Sequence, residues 1–183
     1  EEVRKFGGLQ TNLDSIVIHL WPNAYKNSST ELAKQKYEDG SNQFKYASKN
    51  ELGFIDSLDF KINGSEIGWN FLNGKIDICV IHLIKPLQKG DSITITTPFR
   101  VKIPSGKFSR LGHVGQSYQV TQWFPKPAVY DKDGWHPMSY LDQGEFYSEF
   151  GNYDVSITLP KNYILMATGD SVSYTHLRAH ETL

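Results

Sequence analysis

Residues 92–103 read Ser-Ile-Thr-Ile-Thr-Thr-Pro-Phe-Arg-Val-Lys-Ile, and their alternation decides the fold class. The odd positions carry the apolar side chains and Thr97, whereas the even positions, Pro98 apart, are polar or charged. Because successive side chains of a strand point to opposite faces, this pattern predicts one buried and one wet face, as in an antiparallel sheet. Pro98 has no N–H to donate, so we expect this strand to lie at an edge or to be broken by a bulge.

Other segments repeat the strand period, and turn residues separate them. The predicted strands are 15–21, 75–83 and 153–159, and the predicted turns are Asn63-Gly64, Asn73-Gly74 and Lys89-Gly90-Asp91. Only residues 30–39 indicate a helix, with Thr30 as N-cap and Gly40 as the stop. About eight strands with one short helix predict an all-β chain, built as an antiparallel β-sandwich or a curled sheet.

The stretch 125–152 shows no sustained period and is far longer than an ordinary connection. Ten of the 24 aromatic residues of the chain fall between Tyr118 and Tyr153. Disordered segments are poor in aromatic residues. We therefore expect a long, aromatic-rich loop that is folded against the rest of the protein.

Composition excludes several classes of partner. The chain has 183 residues, a formal net charge of −1 and a single cysteine, Cys79. The balanced charge leads us to expect no nucleic-acid partner, and the single cysteine excludes an internal disulfide. We also expect no membrane span, because no apolar run approaches about 18 residues. Cys79 lies in an apolar run and is expected to be a packed thiol.

The two ends suggest a piece of a longer protein. Residues 172–183 resemble a translated sequencing adapter, so we expect a β domain over 1–171 followed by an unrelated tail over 172–183. His176 and His180 in that tail have helical metal-ligand spacing but are set aside with it. The compartment stays undetermined, and the cell envelope or periplasm of a bacterium is one candidate.

Asp142, Glu145 and Glu149 lie among the aromatic residues Tyr140, Phe146, Tyr147 and Phe150. Partly buried carboxylates there can receive a ligand cation such as the amino group of a peptide. The alternative is that they are turn and cap residues of a packed loop. The stretch 131–134 reads Asp-Lys-Asp-Gly and favours a simple turn over a calcium loop. His19 and His82 alternate within strands and are expected to be satisfied or surface imidazoles.

Several long strings resemble one family, the gluzincin zinc aminopeptidases that include aminopeptidase N and leukotriene hydrolase. The resemblance is to their amino-terminal domain, in the branch common in Bacteroidetes-type bacteria. The strings are Ser-Tyr-Gln-Val-Thr-Gln-Trp-Phe-Pro-Lys-Pro-Ala-Val-Tyr-Asp at 117–131, Gly-Trp-His at 134–136, Tyr-Leu-Asp-Gln-Gly-Glu-Phe-Tyr-Ser-Glu-Phe-Gly at 140–151, His-Leu-Trp-Pro-Asn-Ala-Tyr at 19–25, and Ser-Arg-Leu-Gly-His at 109–113.

The resemblance implies a saddle-like β-sandwich that precedes a catalytic domain. In the family, a Thr-Gln-x-Glu (or Gln) segment helps to hold the free amino terminus of the substrate. Thr121-Gln122 matches its first two positions, whereas Phe124 stands where the family has the carboxylate or amide. Asp142 matches the aspartate that closes the next motif, although a longer insertion separates the two here.

The family motifs Gly-x-Met-Glu-Asn and His-Glu-x-x-His do not occur in this sequence. The expectation is a chain with no catalytic residue and no cofactor of its own, with zinc held by a separate catalytic domain. Its partners would be that catalytic domain and, through it, a peptide substrate. The expected substrate-binding residues are Gln122, Asp142, Tyr140 and, as the carboxylate that Phe124 cannot supply, Glu145.

Two other functions compete with this one. A non-catalytic binding module could stack sugars on Trp123, Trp135 and Tyr140, or could bind a protein. A plain structural sandwich could use the aromatic loop to cover an open sheet edge. Composition alone does not separate the three.

Overall fold

The computed structural model describes residues 2–4, 12–144 and 146–170. Within these residues it contains fourteen strands, most of them of two to four residues, one 3-10 helix and one α-helix, and every pairing between strands is antiparallel. The predicted all-β class is thus confirmed. The elements are β1 (Glu2–Arg4), β2 (Leu13–His19), η1 (Trp21–Tyr25), α1 (Glu31–Glu38), β3 (Phe54–Asp56), β4 (Lys61–Ile62), β5 (Ser65–Glu66), β6 (Trp69–Leu72), β7 (Lys75–Leu87), β8 (Ile93–Thr96), β9 (Arg100–Lys102), β10 (Gly112–Val114), β11 (Ser117–Gln119), β12 (Lys126–Pro127), β13 (Val129–Asp131) and β14 (Gly134–His136).

The best-buried sheet has the order β12-β2-β7-β6. Its central pair aligns Ile16 with Ile81 and Ile18 with Cys79, and all four side chains are buried on one face. The Cys79 side chain is fully buried, and this burial raises the pKa of its thiol to about 12. Cys79 is therefore a packed, protonated thiol, as predicted from its apolar neighbours.

The stretch 92–103 forms two strands rather than one. Strand β8 pairs with β1 and β4, whereas β9 pairs with β3 in another sheet. The break falls at 97–99, where Pro98 cannot donate a ladder hydrogen bond. The expectation of a strand at an edge or broken by a bulge holds only in part, because the chain is interrupted at the proline but the two resulting strands belong to different sheets.

Local turn and cap chemistry is confirmed throughout. The Thr30 hydroxyl accepts a hydrogen bond from the backbone N–H of Ala33, and α1 ends before Gly40, whose φ is +81°. Asn63-Gly64 joins β4 to β5, and Asn73-Gly74 joins β6 to β7.

The predicted long loop over 125–152 is only partly a loop. Strands β12, β13 and β14 occupy its first half, and β13 pairs with β14 around the turn at Lys132-Asp133. Gly134, with a φ of +99°, provides the positive φ at the end of this turn, which confirms the turn interpretation. Strands this short fall below the length at which a period of two becomes visible in a sequence.

Residues 151–170 form a separate unit of the described chain. The predicted strand over 153–159 is not formed there, because none of these residues has a ladder partner among the residues described. Its alternating apolar side chains, from Tyr153 at 54% to Leu159 at 39% exposure, are open to solvent. Residues 171–183, which include the expected tail, lie outside the described residues.

None of the helices in the described part of the chain has the length and apolar character needed to cross a membrane.

Candidate functional site

Three strings that carry the family resemblance meet in one aromatic cluster. Trp21 and Tyr25 come from η1, Leu111 comes from the string at 109–113, and Tyr140 opens the string at 140–151. The rings of Tyr25 and Tyr140 lie 5.4 Å apart, and Trp21 donates a hydrogen bond from Nε1 to the backbone oxygen of Met138 over 3.0 Å. These contacts join segments that are more than 100 residues apart in the sequence.

Tyr140 is a core residue. Its side chain has no exposed surface, and its ring packs against Trp21, Tyr25 and Phe146. The expectation that Tyr140 touches a substrate is corrected, because a ligand in solvent cannot reach a fully buried ring. Tyr140 is also one of the three rings expected to stack sugars in the alternative binding module, and its burial excludes that role as well. Trp135, another of these three rings, packs against three apolar clusters and does not stand free on the surface.

Asp77 holds the backbone beside Tyr140 and was not singled out from the sequence. Its carboxylate is buried in β7 and accepts hydrogen bonds from the backbone N–H of Tyr140 at 2.9 Å and the hydroxyl of Ser139 at 3.2 Å. Burial raises the pKa of Asp77, although these hydrogen bonds oppose the rise. The signal was available, because Asp77 lies between Ile76 and Ile78 in an apolar run, where a lone carboxylate needs partners.

The Asp142 carboxylate is already paired within the protein. It accepts hydrogen bonds from Nζ of Lys36 on α1 and from the hydroxyl of Ser109, both at 2.5 Å. Partial burial works to raise the pKa of Asp142, but these two donors outweigh it and lower the pKa. In addition, the side-chain oxygen of Gln35 accepts the backbone N–H of Asp142 at 2.7 Å. This geometry fits the alternative of a loop-fixing residue better than an open receptor for a cation.

Gln122 lies beyond the end of its strand, in an unusual backbone conformation. Strand β11 ends at Gln119, and Gln122 has a φ of +53°. This left-handed conformation is energetically unfavourable for a residue other than glycine. Next to it, the Oγ1 of Thr121 is buried and has no hydrogen-bond partner among the residues described. The Thr-Gln pair is thus a half-buried, strained turn. The predicted partner, Glu145, lies outside the described residues.

His19 is the most perturbed imidazole of the described chain. It is buried, stacks on Trp21 with ring centroids 4.6 Å apart, and accepts the backbone N–H of Met138 at Nε2 over 3.2 Å. Burial, assisted by the positive charge of Lys126, lowers the pKa of His19 to about 4. The neutral ring therefore fixes Met138, two residues before Tyr140. His82 is exposed and contacts Asn70, as expected. The expectation for His19 holds only in part, because its buried Nδ1 has no hydrogen-bond partner among the residues described.

No group of three His, Cys, Asp or Glu side chains in the described ranges is arranged to hold a metal ion. His176 and His180 fall outside those ranges. Asp131, the first residue of the rejected calcium loop, instead accepts hydrogen bonds from the His136 ring at 2.8 Å and from the Tyr147 hydroxyl at 3.2 Å.

Comparisons of the chain with protein-family models, with curated proteins and with solved structures gave no match.

Proposed function

We propose that this chain is the amino-terminal β domain of a zinc aminopeptidase of the gluzincin family, a saddle-like β-sandwich without catalytic residues of its own. In this proposal it forms one wall of the cleft in which a separate catalytic domain cleaves peptides. The zinc of that domain would polarise the scissile carbonyl and activate a water molecule. In the proposal, this chain contributes binding and orientation of the substrate, and the catalytic domain contributes the zinc.

The observation that carries the proposal is the meeting of the resembling strings in one aromatic cluster. Sequence strings that match a family by accident have no reason to pack together. Here the strings at 19–25, 109–113 and 140–151 each contribute a buried residue to the same cluster. Next to this cluster, the backbone N–H of Met138 donates to Nε2 of His19, and the backbone N–H of Tyr140 donates to the carboxylate of Asp77. This packing supports the proposal to the extent that it places the three strings in one folded domain.

Gln122 is the residue of this chain that we propose contacts the substrate amine. Its side-chain oxygen can accept a hydrogen bond from an ammonium group. The left-handed backbone of Gln122 and the buried, unpartnered Oγ1 of Thr121 form a strained turn, of the kind that proteins retain at binding sites. Asp142 would support the neighbouring loop through Lys36 and Ser109 and would not contact the amine itself.

The proposal predicts that the source gene encodes a longer protein with a catalytic domain, and the test uses that protein. That protein should hydrolyse peptides with a free amino terminus, lose this activity on zinc chelation and regain it when zinc is restored. A Gln122→Ala variant should lower kcat/KM for free-amino peptides by about tenfold and leave N-acetylated peptides nearly unaffected. A protein that cleaves no free-amino peptide, with or without zinc, would contradict the proposal.

A further inference from the structure

The hairpin formed by β10 and β11 borders a small cleft that the proposed function does not use. The cleft has a volume of about 150 Å³ and lies between this hairpin and the segment 106–110. Its polar lining consists of Ser109, Arg110, His113, Ser117 and Gln119. No carboxylate lines it, so its charge comes from Arg110.

Arg110 is held in place by one hydrogen bond and one ring contact, and its positive charge also acts on the nearby Asp142 carboxylate. Its Nη2 donates a hydrogen bond to the backbone oxygen of Asp142 over 3.0 Å, and its guanidinium lies over the ring of Phe146, 5.0 Å from the centroid. Within the described ranges it forms no ion pair. The nearby Asp142 carboxylate takes its own hydrogen bonds from Lys36 and Ser109. The structure shows no hydrogen bond from the other guanidinium N–H groups to the described residues, so these groups can donate to an outside acceptor.

The cleft depends on close backbone contact beneath it. A Cβ atom placed on Gly112 would lie 2.5 Å from the Cα of Gly106, so these segments approach as only glycine permits. The backbone N–H of Gly106 donates to the oxygen of His113 over 2.8 Å, and the N–H of His113 donates to the oxygen of Pro104 over 3.0 Å. The walls are thus fixed by main-chain bonds, which favours a preformed site over a loose surface dent.

We propose that this cleft binds a small oxyanion, either a carboxylate of an acidic peptide side chain or a free phosphate. Arg110 supplies the charge and a planar pair of donors, which match the two oxygens of either group. Ser117 and Gln119 add neutral donors from β11 on the opposite wall. The inference stands on the cleft alone and does not require the chain to belong to a peptidase.

The test is an NMR titration of the full chain with inorganic phosphate in one arm and N-acetylaspartate amide in the other. N-acetylasparagine amide serves as the neutral control ligand. We expect saturable shifts confined to the cleft, with a Kd on the order of 1 mM, and none with the neutral control. Saturation by phosphate alone would identify a phosphate site, and saturation by the aspartate compound alone would identify a peptide-carboxylate site. No saturable shift with either compound would overturn the inference.

Three variants test the role of Arg110. Arg110→Gln should weaken binding by about tenfold or more, because it removes the charged fork. Arg100→Gln removes the same charge from an exposed ion pair with Asp56, outside the cleft lining, and should leave binding within about twofold. Gln119→Glu keeps the shape of the side chain and should repel the anion to a similar extent as the loss of Arg110. Equal losses in Arg100→Gln and Arg110→Gln, or unchanged binding in Gln119→Glu, would overturn the assignment.

Discussion

Replacing the buried His19 with glutamine should reduce the loss of folding stability that acid causes. His19 has an ordinary pKa of 6.5 in the unfolded chain and about 4 in the folded protein. This difference corresponds to about 3 kcal/mol. Above pH 6.5 the ring is neutral in both states and the stability is fully present. As the pH falls from 6.5 to 4, only the unfolded chain binds the proton, so stability is lost over this window.

The measurement is the free energy of unfolding in urea at several pH values from about 7.5 to 4. Gln can still accept the backbone N–H of Met138, so His19→Gln should cost only about 1 kcal/mol near neutral pH, mainly from lost stacking on Trp21. Between neutral pH and pH 4, the free energy of unfolding of His19→Gln should decrease by about 3 kcal/mol less than that of the wild type.

His82→Gln is the matched control, because it removes an exposed imidazole from the same sheet. It should preserve the acid response of the wild type. A different result would be that both variants lose as much stability in acid as the wild type. His19 would then not be a buried neutral ring, and its Nε2 would not accept the hydrogen bond from Met138.

Four further predictions rest on the described contacts and on the sequence. Asp142→Asn should lower the free energy of unfolding by about 2 kcal/mol, because it breaks the partly buried pair with Lys36. Asp56→Asn breaks an exposed pair and should cost clearly less. Equal costs of the two substitutions in urea denaturation would refute the distinction. The stabilisation from Asp142 should disappear as the pH falls through its lowered pKa, since the carboxylate must be charged to hold Lys36. Deleting 172–183 should change the free energy of unfolding by less than about 1 kcal/mol, and a larger loss would contradict an adapter origin of that tail. If the chain belongs to the aminopeptidase that we propose, Glu145→Gln in that enzyme should reduce kcat/KM for free-amino peptides about tenfold, roughly 1.4 kcal/mol, with acetylated peptides unaffected. Equal losses for both kinds of peptide would limit Glu145 to loop support.

The features that the sequence predicted well are those decided by neighbours in the chain. Thr30 and Gly40 mark the start and the end of α1, because capping and a positive φ are local properties. The Asn-Gly turns connect paired strands for the same reason. Cys79 was predicted to be packed because its own strand is apolar on both sides.

The features that the sequence could not decide depend on partners far away. Asp142 looked like an open carboxylate, yet it pairs with Lys36, 106 residues earlier, and no local pattern encodes that contact. Tyr140 read as a loop aromatic residue and is a core residue, because Trp21 and Tyr25 reach it from η1. The alternation at 153–159 predicted a strand, but a strand also needs a partner edge, and periodicity says nothing about that.

The most direct measurement of the central claim is the nucleotide sequence of the intact source gene beyond the codon for Asp170. If this chain is the amino-terminal domain of a gluzincin aminopeptidase, the same reading frame continues into Gly-x-Met-Glu-Asn and then His-Glu-x-x-His, with a further zinc-binding Glu downstream. A continuation that encodes none of these motifs would contradict the claim.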